Sequence, residues 1–312
     1  MPTDRPARTS PFDVPSHATV SGYRLAALAA RALPAPVAQG VSPALGLGAS
    51  LASPARRAQI ERHLRRADPT LRGLRLRRAV NEAFESYARY WLESFRLPYL
   101  TPREVARGMR ADGYHHIEDA LGAGLGVILA LPHLGGWEWA GRWLVDKGLR
   151  VTVVVEAVEP PELFEWFVDL RSRLGMTVVP LGDGAGRAVL GALSRNEVVC
   201  LLSDRDLQGT GVAVEFFGET TTVPAGPAVL SIRTGAPLLP TAVYFTERTD
   251  GHLGVVRPPV PAEREGRLRD DVDRVTQALV IELEGLIRRA PQQWHLFQPN
   301  WPSDLPPAGR AG

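Results

Sequence analysis

From Tyr114 onward, short Val- and Leu-rich runs alternate with longer segments whose apolar residues recur every three or four positions. The runs are VILALP (127–132), VTVVVE (151–156), MTVVP (176–180), VVCLLS (198–203) and PLLPTAVYF (237–245). Runs of this length suit strands buried on both faces of a sheet. Between them, 137–148, 161–175, 185–196 and 224–235 read as helices, with Pro near starts and Gly near ends. Segments 212–217 and 252–257 add strands, and 267–290 is a closing helix. The alternation predicts an α/β fold with a mostly parallel central sheet flanked by helices. No internal repeat is visible.

The N-terminal third follows another pattern. Residues 1–19, rich in Pro, Ser and Thr, read as a flexible tail. From 20 to 51 the chain is nearly free of acids, and prolines at 34, 36 and 43 divide it into short helices. Such helices lie in a membrane interface, cap a hydrophobic channel or pack on the domain. Ser53 followed by Pro54 starts a helix, and 76–95 is a second one whose Phe84, Tyr87, Trp91 and Phe95 form a stripe. A neighbouring helix or an acyl chain can cover that stripe. Residues 96–102 end the helical section, so 20–312 reads as a single α/β domain with a helical section over 20–110.

Composition narrows the classes. With 312 residues, 45% hydrophobic and 22% charged, the chain is long and apolar enough to bury a large core. The single cysteine, Cys200, excludes a disulfide framework and Cys-built metal sites and points to a reducing compartment. His115-His116 has no evident third ligand, so no metal site is expected. No leader and no apolar stretch of about 18 residues is read, so action on lipid would take place from the surface. The net charge of +2 hides an asymmetry: residues 1–110 hold 18 Arg against 8 acids, and the remainder holds 18 basic residues against 26 acids. The densest stretch, 56–78, has nine Arg against Glu61 and Asp68. It reads either as a solvated helix face or as a surface for phosphate from lipid headgroups, coenzymes or nucleic acid.

Several known machines lack their spacing: there is no G-x-S-x-G, H-E-x-x-H, Walker A loop or strand-following G-x-G-x-x-G. What remains is Leu131-Pro132-His133-Leu134-Gly135-Gly136-Trp137-Glu138, an imidazole and a carboxylate five positions apart at the end of a strand. Ligands bind at the carboxyl ends of strands in open α/β sheets. A carboxylate in the first turn of the next helix can fold back onto the imidazole, fix its tautomer and leave the other nitrogen as a base. The alternative is a packed His, with Glu138 stabilising a helix N-terminus. Asp204-Arg205-Asp206 follows another strand at the same edge, either facing the site or closing a turn in which Asp206 pairs with Arg205. Arg171, near a helix end, either stabilises that end or contacts phosphate. Phe216 and Phe217 read as core plus turn or as a lipid wall, and Trp294 and Trp301 as edge packing or an interface belt.

The blocks SYARYWLESFRLP (86–98), LALPHLGGWEWAG (129–141), FVDLRSRLGMTVVPL (167–181), VVCLLSDRDLQGTGVAVEFFGE (198–219), VPAGPAVLSIRTGAPLLP (223–240) and WHLFQPNW (294–301) resemble those of the bacterial lipid A biosynthesis acyltransferase family. Within it they are most similar to actinobacterial phosphatidylinositol mannoside acyltransferases. The resemblance implies a glycerophospholipid acyltransferase-like fold. It also implies that His133 and Glu138, of an H-x4-E motif, serve acyl transfer, with His133 activating an acceptor hydroxyl. A second catalytic acid maps to Asp204, where relatives carry Glu and the shorter side chain is expected to reposition the contact. Substrate contacts map to Arg171 and Thr210, and Arg205 adjoins them. A further position maps to Arg233, where relatives have Glu. After the VVVE strand, relatives continue Glu-Arg-Leu, whereas this chain has Glu156-Ala157-Val158.

The expectation is therefore a peripheral enzyme on the cytoplasmic face of the cell membrane that moves a long acyl chain from acyl-CoA to a glycolipid hydroxyl. That hydroxyl would be on a mannose of phosphatidylinositol mannoside. Acyl-CoA is a co-substrate and no cofactor is expected. The partners are the glycolipid acceptor and an anionic membrane surface, with no nucleic acid. Backbone N–H groups near Gly135 and Gly136, or an Arg, would serve the oxyanion. The alternatives are another glycoside or lysophospholipid acceptor, or a non-catalytic module binding anionic lipid or nucleic acid.

Overall fold

The computed structural model describes Leu28, Ala30 and residues 35–156 and 161–305. The expected tail, 1–19, and the Ala157-Val158 departure lie outside the described residues. The helical section comprises α1 (Ala35–Ala52), α2 (Pro54–Ala67), α3 (Gly73–Arg96), a 3-10 turn (Leu97–Tyr99) and α4 (Pro102–Gly108). Then follow β1 (Met109–Asp112), α5 (His115–Gly122), β2 (Val127–Leu131), α6 (Trp137–Asp146), β3 (Val151–Val155), α7 (Pro161–Arg173), β4 (Thr177–Pro180), α8 (Ala185–Ser194) and β5 (Val198–Leu202). The chain continues through β6 (Val212–Phe216), β7 (Glu219–Val223), α9 (Gly226–Thr234), β8 (Leu238–Phe245), β9 (His252–Val256) and α10 (Leu268–Arg289).

The α/β expectation holds. A seven-stranded sheet runs in the order β1-β9-β8-β2-β5-β3-β4, parallel throughout except where β8 meets β9. One face packs on α8, α9 and α10, with Trp294 and Trp301 in that core. The other packs on α5, α6 and the end of α3, through Tyr90, Ile117, Trp139 and Leu144. The two tryptophans are thus core residues rather than an interface belt. Among the described residues no helix is long and apolar enough to cross a membrane.

Two local expectations differ from what is observed, and two strands escape the sequence reading. Pro43 does not divide its segment but lies inside the continuous helix α1. An internal proline costs about 3 kcal/mol, and tertiary packing offsets it. Ser42 and Ser50 are buried, and Gly46 approaches α3 so closely that a Cβ there would lie 2.6 Å from the Glu85 Cα. The helical section runs on past residue 102 into α4, which the Thr101–Glu104 capping box starts. The four-residue edge strand β1 has the burial alternation Met109 buried, Arg110 exposed, too short a pattern to register in the sequence. The polar strand β7, ETTTV, pairs antiparallel with β6 as a separate hairpin.

Candidate active site

β2 and β5 are parallel neighbours with Leu131 opposite Leu202, and the Ser203 amide donates to the Leu131 carbonyl. The segments leaving the two strands therefore run side by side, and two residues on they present His133 and Asp204. Pro132 ends the ladder on one side. The chain then turns at Gly135, whose φ of 58° lies in the left-handed region and whose Cβ would collide with the Val243 carbonyl oxygen. A bridge from Leu134 to Trp294 ties this turn to the C-terminal segment.

His133 and Asp204 form the centre. Nδ1 of His133 donates to Oδ1 of Asp204 at 2.7 Å, and the His133 amide donates to Oδ2 at 2.9 Å. Trp294 Nε1 also donates to Oδ2, at 2.7 Å, and Asn300 Nδ2 donates to the Asp204 carbonyl at 3.2 Å. Burial alone would push the Asp204 carboxyl up. The His133 ring and these donors outweigh it and hold the group below the usual carboxylate range. The Asp204 side chain is 0% exposed and that of His133 is 32% exposed. A carboxylate fixed on Nδ1 leaves Nε2 with its lone pair toward the open side, the tautomer a general base requires. Asp204, with its short side chain, reaches the ring because the strand register brings its backbone alongside.

The expected pairing of Glu138 with His133 is not what the chain forms. Glu138, in the first turn of α6, is buried, and its Oε1 accepts from the Tyr90 hydroxyl at 2.6 Å and from Arg171 Nη2 at 3.1 Å. Asp204 has taken Nδ1 of the imidazole, and a phenol and a guanidinium on α3 and α7 draw Glu138 the other way. Burial, outweighing Arg171 and Tyr90, raises the Glu138 carboxyl above its ordinary value. Glu138 thus holds α3, α6 and α7 together rather than orienting the base. Arg171 correspondingly turns into the protein, over the Trp137 ring, and is bonded to Glu138 instead of standing free for a phosphate.

The other expected residues scatter. Thr210 is exposed on the loop after β5, and Arg205 is half-buried in the same loop. Asp206 accepts the amides of Gln208, Gly209 and Gly211, so the turn closes on backbone and not on Arg205. Arg233 is exposed in the last turn of α9, just before β8 begins, and therefore lies at the amino edge of the sheet, opposite His133. The Gly135 amide donates to the Gln293 carbonyl and has no hydrogen left for an oxyanion. Within the basic stretch, Arg57 bonds Asn81, Arg62 and Arg66 pair with Asp304, and Arg65 and Arg78 pair with neighbouring acids. Part of that face is therefore internal wiring.

Sequence reasoning missed Trp294 and Asn300 as holders of Asp204, Tyr90 as the partner of Glu138, and His295. A buried indole needs a partner for its N–H, which is the signal Trp294 offered. An apolar cavity of ≈ 30 Å³ lies beneath the turn, lined by Leu131, Trp137, Ala140, Leu144, Val153 and Cys200 among others. It is far below the roughly 300–1,000 Å³ of ligand pockets, so this seam is closed in the present state. Burial pushes the Cys200 thiol up to about 12, which makes it a packing group and not a nucleophile.

The family model for bacterial lipid A biosynthesis acyltransferase matches residues 5–303, which include every strand and α-helix named above. A phosphatidylinositol mannoside acyltransferase of Mycobacterium tuberculosis (strain CDC 1551 / Oshkosh) is 43% identical over 234 residues, covering 73% of this chain and 72% of the relative. One of Mycolicibacterium smegmatis is 38% identical over 297 residues, covering 93% and 92%. A lipid A biosynthesis acyltransferase of Haemophilus influenzae is 25% identical over 186 residues, covering 58% and 55%. The chain therefore belongs to the bacterial lipid A biosynthesis acyltransferase family and is an acyltransferase.

Proposed function

We propose that this acyltransferase moves a long acyl chain from acyl-CoA to a hydroxyl of a glycolipid, a mannose of phosphatidylinositol mannoside, at the cytoplasmic face of the cell membrane. The acceptor assignment is supported by the names of the relatives at 38–43% identity. The observation that carries the chemistry is the His133–Asp204 pair, a half-exposed imidazole whose Nδ1 is tied to a buried carboxylate. In this reading Nε2 of His133 takes the proton of the acceptor hydroxyl as its oxygen attacks the thioester carbon. The tetrahedral oxyanion then collapses, the C–S bond breaks, and the imidazolium returns the proton to the departing thiolate. Asp204 stays ionised and stabilises the imidazolium meanwhile.

Membrane contact is supported by α1, an 18-residue helix without a charged residue, which exposes Leu45, Leu47 and Leu51. Leu74 is 80% exposed at the start of α3, among exposed Arg72, Arg75 and Arg77. Leucines flanked by cations suit a bilayer with anionic headgroups. Parting of α6 from the sheet would admit the acyl chain to the closed apolar seam between them, which Leu131 and Trp137 line at the two ends of the His133 turn.

The test is thiol release from palmitoyl-CoA with purified phosphatidylinositol mannoside, followed by mass spectrometry of the lipid. The expected result is one added acyl chain, lost in His133→Ala. Wild-type-like turnover by His133→Ala, or no mass gain on the mannoside, overturns the base or the acceptor respectively.

A further inference from the structure

The acyl-transfer reading needs a donor for the oxyanion, and three amides of the turn after β2 are already engaged: His133 with Asp204, Leu134 with the Pro132 carbonyl and Gly135 with the Gln293 carbonyl. A second imidazole stands in the right place. Leu134 and Trp294 form an antiparallel bridge, and the His295 amide donates to the His133 carbonyl at 2.7 Å. His133 and His295 are thus directly opposite across this short ladder. Opposite residues project to the same side, with Cα atoms about 5.5 Å apart.

Side chains on α3 fix the His295 ring, with Tyr87 at a centroid distance of 5.3 Å among them. Its Nε2 is 2.9 Å from the Ser86 hydroxyl, on α3. Its ring centroid lies 5.5 Å from that of Tyr90, whose hydroxyl is bonded to Glu138. His295 is thus half-buried, opposite His133 on one side and packed against Tyr90 of the Tyr90–Glu138–Arg171 cluster on the other. Among the described residues no group bonds its Nδ1.

We infer that His295 is the oxyanion donor: with Ser86 giving its hydroxyl hydrogen to Nε2, the ring carries hydrogen on Nδ1 and donates it to the thioester oxygen in the transition state. The inference rests on the acyl-transfer reading. As the C–O bond forms, the carbonyl π pair moves onto oxygen and the acceptor's proton goes to His133. The His295 hydrogen bond strengthens at that moment, with no proton leaving the ring. Charge balance favours this division of labour. Burial, and secondarily the charge on His133, push the His295 imidazole down to about 3, so it stays neutral and does not repel the imidazolium forming opposite it. A neutral imidazole polarising a carbonyl beside a separate base has precedent in enzyme chemistry.

The experiment compares wild type with His295→Ala, His295→Asn and His295→Gln, measuring thiol release from palmitoyl-CoA both to water and to phosphatidylinositol mannoside. His295→Ala is expected to lose about 10²–10³-fold in kcat in both reactions, with the donor KM changing less than about threefold. The Asn amide nitrogen occupies the Nδ1 position and is expected to recover at least about tenfold of that loss, whereas Gln, which reaches the Nε2 position, is not. Should His295→Ala not fold, the contrast between Asn and Gln decides. Turnover by the Ala variant within about threefold of wild type, a loss confined to transfer with hydrolysis intact, or rescue by Gln and not Asn overturns the assignment. A wild type that releases no thiol to any acceptor refutes the acyl-CoA reading and takes this inference with it, whereas wild-type turnover indifferent to position 295 sinks the inference alone.

Discussion

Asp204→Asn isolates the hydrogen bond on which the candidate site turns. The carboxylate accepts three bonds at once: His133 Nδ1 at 2.7 Å, the His133 amide at 2.9 Å and Trp294 Nε1 at 2.7 Å. An asparagine of the same shape has only one oxygen. Two of those donors converge on Oδ2, so the amide oxygen will settle there and its NH₂ will face Nδ1. An NH₂ facing Nδ1 demands a lone pair from it, which moves the ring hydrogen to Nε2 and removes the base. A wrong tautomer in a similar arrangement costs about 10⁴ in kcat, so a loss of about 10³–10⁴ with a KM change under about threefold is expected. The stability change should be smaller, about 1–3 kcal/mol for bonds to a buried charged group, because the backbone and Trp294 partners survive. Stopped assays of thiol release give the first quantity and urea unfolding the second. Asn activity within about tenfold of wild type, with the fold intact, would refute the argument that Asp204 sets the tautomer.

Two further expectations test the surroundings. Gly135→Ala should destabilise the protein by more than about 2 kcal/mol in urea unfolding and lower activity as well, since it combines a left-handed φ with a clash against the Val243 carbonyl; a Tm unchanged from wild type contradicts the turn geometry. The depressed His295 imidazole has a definite sign in acid. Below about pH 6.5 the unfolded chain binds a proton at this ring that the native state, at about 3, does not. Stability from this group is therefore complete above pH 6.5 and falls by about 1.4 kcal/mol per unit as pH drops below it. Unfolding free energies between pH 6.5 and 5 should lack that contribution to the slope in His295→Asn, and equal slopes in the two proteins refute it.

Much of the fold was legible because the parallel sheet announces itself. Runs such as VILAL and VVCLL are buried on both faces, and their lengths and spacing mark strands. What the sequence hid was short or polar: β1 has four residues, and β7 reads ETTTV. The unbroken α1 was hidden for another reason, since proline penalties are local while the close contact at Gly46 that offsets them is not.

His133 at a strand's carboxyl end, and Asp204 at the same edge, could be named from the chain alone, because polar residues directly after buried strands are confined to that edge. Which acid serves the imidazole could not. Glu138 is five positions from His133 and Asp204 is 71 away, yet the register Leu131 opposite Leu202 puts the distant one alongside, while Tyr90 and Arg171 draw the near one elsewhere. His295 was equally out of reach, since its neighbour His133 lies far back in the chain and the two meet through the short ladder at Leu134 and Trp294. Local propensity and periodicity are properties of contiguous residues and are written in the sequence. Pairing among buried polar groups is a competition among all the partners the packed fold supplies, and it is settled only when the strands and helices have met.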